Sequence, residues 1–378
     1  MNMANHPRSS SESLRVIHVL RGALGGSLRH VRDLASGQAE RGHHVGMVSG
    51  TGGGPTTDVT LAAMEGLCTL QVHRISMERS LSWSDFRAAK ELERICRQGR
   101  PDIVHGHGAK GAAYARLLAA RVGAKAVYTP HGGSLHYSWG SVSGGLYLGL
   151  ERLLKSRTDG LIFASHYAQR TYEEKLGSAP CPYRVVHNGL HEDEFIPVPR
   201  GSEEYDFAFV GEIRRLKGID VLLEAVAELS REQDLSVLIV GSGPDEARIR
   251  SRITQLDLAD SITLSPRIHP ARDAFAMARC VVMPSLAESL PYVVLEVLAA
   301  GVPLVATRVG GIPEILGPHS DSLLPAGDAN ALAAALKAFM ADPLAAQARA
   351  EVLHAHVKQH LRAGQMVDSI VDFYREVL

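Results

Sequence analysis

Two glutamates with seven residues between them, Glu288 and Glu296, frame a stretch whose residue types suit ligand binding. Glu288 closes a loop that follows the apolar run Val281–Met283. Ser289 is a residue type that caps helices, and Pro291 fits a first helical turn. Glu296 then falls about two turns along, on a face that can look back toward the loop. Two acceptor carboxylates placed in this way can each grip a hydroxyl-bearing part of one ligand. Free backbone N–H groups at the helix start, in the stretch Ser289, Leu290, Pro291, Tyr292, Val293, can hold an anion between them. A sugar, a diphosphate and a ribose present such a series of groups. A capped helix with two surface carboxylates is the plainer alternative.

Three further segments carry candidate chemistry. In Phe209–Gly218 an apolar run ends at Gly211, and the cations Arg214, Arg215 and Lys217 follow within six residues. Cations at the C-terminal end of a strand suit a diphosphate, although a solvated basic loop has the same composition. Gly25 and Gly26 precede a helical pattern that begins near Ser27; paired glycines allow close backbone approach to a phosphate or sugar, or simply make a turn. His131 stands on a Gly-rich loop after Tyr128–Pro130, where it can hydrogen-bond a substrate hydroxyl or be structural. His105 and His107, two apart on a strand, share a face. With His43 and His44 they raise a metal reading, but no acidic or cysteine partner stands at ligand spacing, so no metal site is expected. Walker and nucleophile-elbow motifs are absent from the sequence, and Gly241–Glu246 is not a dinucleotide fingerprint.

Elements must carry these loops. Short apolar runs alternate with amphipathic segments such as Ser27–Arg41 and Trp83–Arg97, first from Arg15 to His187 and again from Phe207 to Ala306. Such alternation implies parallel sheets covered by helices on both faces, and two series imply two domains. The boundaries read as a disordered lead-in at 1–13, a first domain at 14–190, a linker at 191–204 and a second domain at 205–359. A final helix at about 360–378 is free to pack on either lobe. The segment Gly52–Thr57 reads as a flexible loop.

Composition narrows the class. The chain has 378 residues, 45% hydrophobic and 21% charged, enough for two globular cores. Aromatics at 5% argue against a base-stacking platform, so no nucleic acid is expected as partner. Cys68, Cys96, Cys181 and Cys280 are widely spaced and fit reduced core residues of a cytoplasmic protein. The N-terminus has no apolar segment of a secretory signal. Net charge of −1 hides an asymmetry: residues 1–190 carry 23 Lys/Arg and 14 Asp/Glu, whereas the remainder carries 17 and 27. The basic half suits anionic lipid or a phosphate-bearing acceptor, and attraction between the halves is the simpler account.

Taken together, the residues from about Leu14 onward resemble glycosyltransferase family 4, whose members retain anomeric configuration and have the GT-B fold of two Rossmann-like domains facing a cleft. The resemblance is carried by Glu288 to Pro303, by Val210-Gly211 with Lys217-Gly218, by Val240 to Pro244, and by His131-Gly132-Gly133. It implies that Glu296 binds the donor ribose, Glu288 the donor sugar and Lys217 the diphosphate. The backbone from Ser289 to Val293 would meet sugar and phosphate, and Gly25 and Gly26 would close over the diphosphate. His131 would contact the sugar near the reacting face, and Arg267 lies on the loop that reads the nucleobase. Family members commonly place Arg directly after the Val-Gly pair, where this chain has Glu212; Arg214 or Arg215 then becomes the candidate replacement, with Arg215 preferred. The resemblance implies a nucleotide-sugar donor, UDP-linked by preference, and no cofactor or metal. The acceptor implied is a glycan or polyprenyl-phosphate-linked hydroxyl at the inner face of the membrane, in exopolysaccharide or cell-surface glycan synthesis. The alternatives are a UDP-sugar 2-epimerase of similar fold and a non-catalytic sugar-nucleotide-binding subunit.

Overall fold

The computed structural model describes residues 12–22, 25–52, 54–78, 82–132, 138–201 and 204–378. The chain forms two compact units, one running to Asn188 together with Ala363–Leu378, the other Gly189–Arg362. The disordered lead-in expected at 1–13 lies almost wholly outside the described residues.

The first unit holds seven strands: β1 (Arg15–Leu20), β2 (His44–Gly50), β3 (Val72–Ile75), β4 (Ile103–His107), β5 (Lys125–Thr129), β6 (Gly160–Phe163) and β7 (Tyr183–Val185). All pairings are parallel, in the order β3-β2-β1-β4-β5-β6-β7. Near-continuous burial along β1, β4 and β6 is what a sheet covered on both faces requires. The second unit holds β8 (Tyr205–Val210), β9 (Val237–Val240), β10 (Ile262–Ser265), β11 (Ala278–Met283) and β12 (Leu304–Ala306), also all parallel, in the order β10-β9-β8-β11-β12. In each unit the chain winds outward in both directions from one adjacent strand pair, β1/β4 and β8/β11. Ligands of open parallel sheets bind beyond the C-terminal ends of strands at that reversal.

The helix Ala363–Val377 belongs to the first unit. Its Met366, Val367, Ile370, Phe373, Tyr374 and Val377 bury against Leu14, Val16, Ile103, Val127 and Ile162. A Cβ on Gly160 would lie 2.9 Å from both Phe373 and Val377, so the helix sits directly on β6.

Several local readings are corrected. The described part of the linker expected at 191–204 is packed: Phe195 and Val198 are buried, and Val198 N–H donates to Ala300 O at 3.0 Å, within the second unit. Residues 52–57 are not all loop, because Pro55 opens the helix Pro55–Glu65 from an N-cap Gly54 at φ 72°. Gly25 and Gly26 do not precede their helix; they are the first residues of Gly25–Glu40.

Candidate functional sites

In the second unit the two loops at the reversal point are Gly211–Gly218 after β8 and Pro284–Pro291 after β11. They are stitched together through the backbone. Leu286 N–H donates to Leu216 O at 2.8 Å. Gly218, at φ +68°, packs so closely that a Cβ would lie 1.9 Å from Pro284 O. Glu288 is 8% exposed, and its Oε1 accepts from Lys217 Nζ at 2.6 Å and from Ser285 Oγ at 2.7 Å. Ser285 is itself held by Thr307 Oγ1 donating to its carbonyl at 2.6 Å. A sheltered carboxylate with one ammonium partner is a charged pair that a ligand can reorganise: the ammonium can turn to an anion and the carboxylate to a hydroxyl.

The helix after Glu288 begins at Tyr292, with Pro291 as N-cap. Ser289 therefore does not cap it; its carbonyl instead accepts from Gly311 N–H at 2.6 Å. Glu296 is the fifth residue of Tyr292–Ala299, one turn in rather than two, and half-buried. Leu290, Pro291 and Tyr292 are buried and Val293 half-buried, so the groups a ligand could meet at this helix start are backbone N–H donors, of which Pro291 has none. Arg267 is exposed on the loop after β10.

Glu212 pairs with Arg214 at 3.4 Å, both side chains about half exposed. Arg215 is exposed one residue further on, at the start of the short 3-10 turn Arg215–Lys217. With Arg214 opposed by a carboxylate, Arg215 is the cation of this loop better placed to supplement Lys217. Arg215→Ala should therefore weaken UDP binding about tenfold or more, as expected for one charge-assisted contact, while Glu212→Ala leaves it unchanged or tightens it. Calorimetric titration of UDP decides this. If Glu212→Ala abolishes binding while Arg214→Ala and Arg215→Ala are silent, Glu212 binds the donor itself.

His131, Gly25 and Gly26 belong to the first unit. Gly25 and Gly26 are exposed at the N-terminus of their helix. His131 follows β5 and is partly buried; the residues 133–137 beyond it lie outside the described residues. Its surroundings were not read from sequence. His18 of β1, His30 of the helix Gly25–Glu40, and His105 and His107 of β4 gather beside it. The register pairs His18 with His105 and Leu20 with His107, which brings β1 and β4 imidazoles to one place. His107 Nδ1 lies 3.1 Å from His131 Nε2, and His18 Nδ1 lies 3.0 Å from His107 Nε2. His105 is tied to Tyr374 Oη at 2.6 Å and Thr129 Oγ1 at 2.8 Å. Burial pushes all five imidazoles below their usual value, His18 to about 4. They are thus neutral in the fold and bind protons on unfolding below about pH 6.5. Stability contributed here is full above that pH and falls as pH drops through it. The expectation that no ligand-type cluster exists needs correcting in one respect: His18, His105 and His107, and also His30, His107 and His131, bring ring nitrogens within 4.8 Å of one another. Sequence spacing hid this because the rings come from separate elements. His43 is structural, its Nδ1 accepting from Leu14 N–H at 3.1 Å.

Two parallel α/β units, one bearing a sheltered acid–cation pair at its reversal point, have the GT-B architecture of glycosyltransferases. Residues 24–194 match the family described as Glycosyltransferase Family 4, and residues 192–354 match Glycosyl transferases group 1. The chain belongs to these glycosyltransferases and is a transferase enzyme. It is 24% identical to N-acetyl-alpha-D-glucosaminyl L-malate synthase of Bacillus anthracis, over 94% of this chain and 95% of that one. Among solved structures it is similar to sucrose-phosphate synthase from Thermosynechococcus elongatus, with TM-score 0.81, 21% identity, and 96% and 98% of the two chains covered. It is also similar to Anabaena HepE in complex with UDP-glucose, with TM-score 0.79, 17% identity, and coverage of 95% and 98%.

Proposed function

We propose that this enzyme transfers a hexosyl group from a UDP-linked sugar, with retention, to a hydroxyl of a glycan or polyprenyl-phosphate-linked acceptor in cell-surface glycan synthesis. The observation that carries the reading is the pair Lys217–Glu288, held at 2.6 Å where a parallel sheet places its ligand. On donor binding Lys217 turns to the diphosphate, and Glu288 takes a sugar hydroxyl. Arg215 adds charge against the departing diphosphate, Glu296 takes the ribose, and backbone N–H groups at Tyr292 and Val293 meet the phosphate. The UDP-glucose in the HepE structure supports the choice of donor class. The leaving phosphate then assists the incoming hydroxyl on the same face of the sugar, and the protein acts by positioning and by stabilising developing charge.

UDP release, measured with and without acceptor, tests the reading. Release that depends on a hydroxyl acceptor and persists in EDTA is expected, because the diphosphate is neutralised by cationic side chains. Interconversion of UDP-sugar without acceptor would show an epimerase instead. Loss of turnover in EDTA, restored by Mg²⁺ or Mn²⁺, would sink the cationic account.

We also propose contact with an anionic membrane surface. No helix among the described residues is long and apolar enough to cross a bilayer. In the first unit, however, Trp139, Val142, Leu146 and Leu153 are exposed on and before the helix Val142–Leu154, with the exposed cations Arg152 and Arg157 at its far end. Apolar side chains beside cations suit an interface of anionic headgroups. Co-sedimentation with vesicles should rise with anionic lipid content and fall with salt. Binding indifferent to both would remove this explanation of the basic half.

A further inference from the structure

The helix Pro343–His360 carries three histidines in its last two turns, His354, His356 and His360. Their spacing divides them. His356 and His360 are four apart and share one face of the helix. His354 lies on another face, where its Nδ1 donates to Ala299 O at 2.9 Å. The face of His356 meets the 3-10 turn Gly317–Ser322, which brings a third imidazole, His319. The centroid of the His356 ring lies 4.9 Å from that of His360 and 5.8 Å from that of His319. All three residues belong to the second unit. His356 is the fixed member. Its ring N–H donates to the Ile315 carbonyl, which leaves the other ring nitrogen as a lone pair. The ring is seated on Gly317, where φ is +55° and a Cβ would stand 2.8 Å from its Cε1 and 2.9 Å from its Nε2. An imidazole held by a backbone carbonyl through one nitrogen and bare at the other is oriented as metal-ligating histidines are. The rings of His319 and His360 hydrogen-bond to no described residue. His360 is exposed and His319 half-buried, so both side chains can turn.

We propose that His319, His356 and His360 form a binding site for a divalent transition-metal ion of the zinc class, which ties the end of the helix Pro343–His360 to the turn Gly317–Ser322. Imidazole ligands suit such ions, whereas Mg²⁺ and Ca²⁺ take oxygen ligands. Three rings leave the fourth tetrahedral position to water. His360 is the last residue of its helix, where the partial negative charge of the helix end favours a cation. The three rings do not bring their nitrogens within 4.8 Å of one another as they stand, so binding turns the two outer rings toward His356. The imidazoles of the first unit are gathered more closely, but both nitrogens of His18, His105 and His107 are spent on hydrogen bonds to one another, to His131, and to Gln38, Tyr374 and Thr129. The proposed site shares no residue with those assigned to the donor. Its ion therefore acts on the stability of the second unit, and metal-independent transfer is left in place. The inference does not rest on the glycosyl-transfer reading.

The test is calorimetric titration of Zn²⁺ into the full chain, first treated with EDTA and dialysed, together with thermal unfolding at saturating zinc. Zinc should bind and raise the melting temperature, and Mg²⁺ should do neither. His319→Asn and His360→Asn should each weaken zinc binding at least about tenfold, because even the supporting contacts of a metal-bound imidazole are worth about 10–100-fold in affinity. The double variant should lose the zinc-dependent rise in melting temperature. Both side chains reach solvent, so without zinc it should unfold near the wild-type temperature. His354→Asn should bind zinc as the wild type does. Absence of zinc binding in the wild type overturns the proposal. So does zinc bound as tightly by the double variant as by the wild type, which would place the ion elsewhere, with the first-unit imidazoles as the alternative. Loss of zinc binding in His354→Asn to the same degree as in His360→Asn also overturns it, because the shared face of His356 and His360 would then not define the site.

Discussion

Glu288→Gln should lower kcat by about 10–150-fold while UDP binds as tightly as to the wild type, or more tightly. Lys217 is paired with Glu288, with Nζ 2.6 Å from Oε1. A diphosphate must compete for that ammonium. On the proposed reading, neutralising Glu288 releases Lys217 to the diphosphate but removes the charged acceptor of the sugar hydroxyl, a contact worth about 1.5–3 kcal/mol when it forms fully in the transition state. Lys217→Ala should behave oppositely: UDP affinity falls by a similar factor, and the fold is destabilised, because a carboxylate only 8% exposed loses its counter-charge and, among the described residues, keeps Ser285. Combining Lys217→Ala with Glu288→Gln should recover stability without recovering UDP affinity. Calorimetry with UDP and thermal unfolding of the three variants separate these effects. Equal losses of UDP affinity in Glu288→Gln and Lys217→Ala would mean that both residues bind the diphosphate, and the exchange of partners proposed for the pair would be wrong.

The contrast between the two units explains what the sequence reveals. Strand positions are legible where a sheet is buried on two faces, which demands continuous apolar runs such as Val237–Val240, buried at every position. The candidate site of the second unit is legible because its groups lie in two compact stretches on either side of one reversal point. Its internal bonding is not legible: the Lys217–Glu288 contact spans 71 positions and depends on β8 lying beside β11. The helix starts later than the residue types suggest for a local reason. Ser289 has the side chain of a cap, but its carbonyl is drawn to Gly311 N–H, and the helix starts after Pro291. In the first unit His105 and His107 could be seen as a pair on one strand. Their partners His18, His30 and His131 could not, because only the order of β1, β4 and β5 and the packing of a helix on them bring the five rings together.

The placement of Glu288 also depends on a glycine with no chemistry of its own. Gly310 has φ +58°, and a Cβ there would stand 2.1 Å from Glu288 O and 3.0 Å from Ser289 O. Both obstacles are backbone, so no side chain can swing aside; the loop carrying Glu288 must move, by on the order of 1 Å to restore an ordinary contact. A displacement of that size in a group that orients a reacting sugar costs roughly 100-fold in rate. Gly310→Ala should therefore lower kcat/KM about 100-fold and also destabilise the second unit. The backbone strain of a side chain at positive φ, about 1–2 kcal/mol, has to be separated from the displacement. Gly327→Ala provides that control: φ there is +77°, but a new Cβ meets only Leu286 Cδ2 at 3.9 Å, an ordinary contact. Gly327→Ala should lower the melting temperature and leave kcat/KM near wild type. Gly310→Ala should lose both, and its loss of activity should persist well below its melting temperature, where the chain is fully folded. If the two variants share one kinetic profile, strain alone accounts for Gly310, and the contact with the Glu288 carbonyl does not set the geometry of the site.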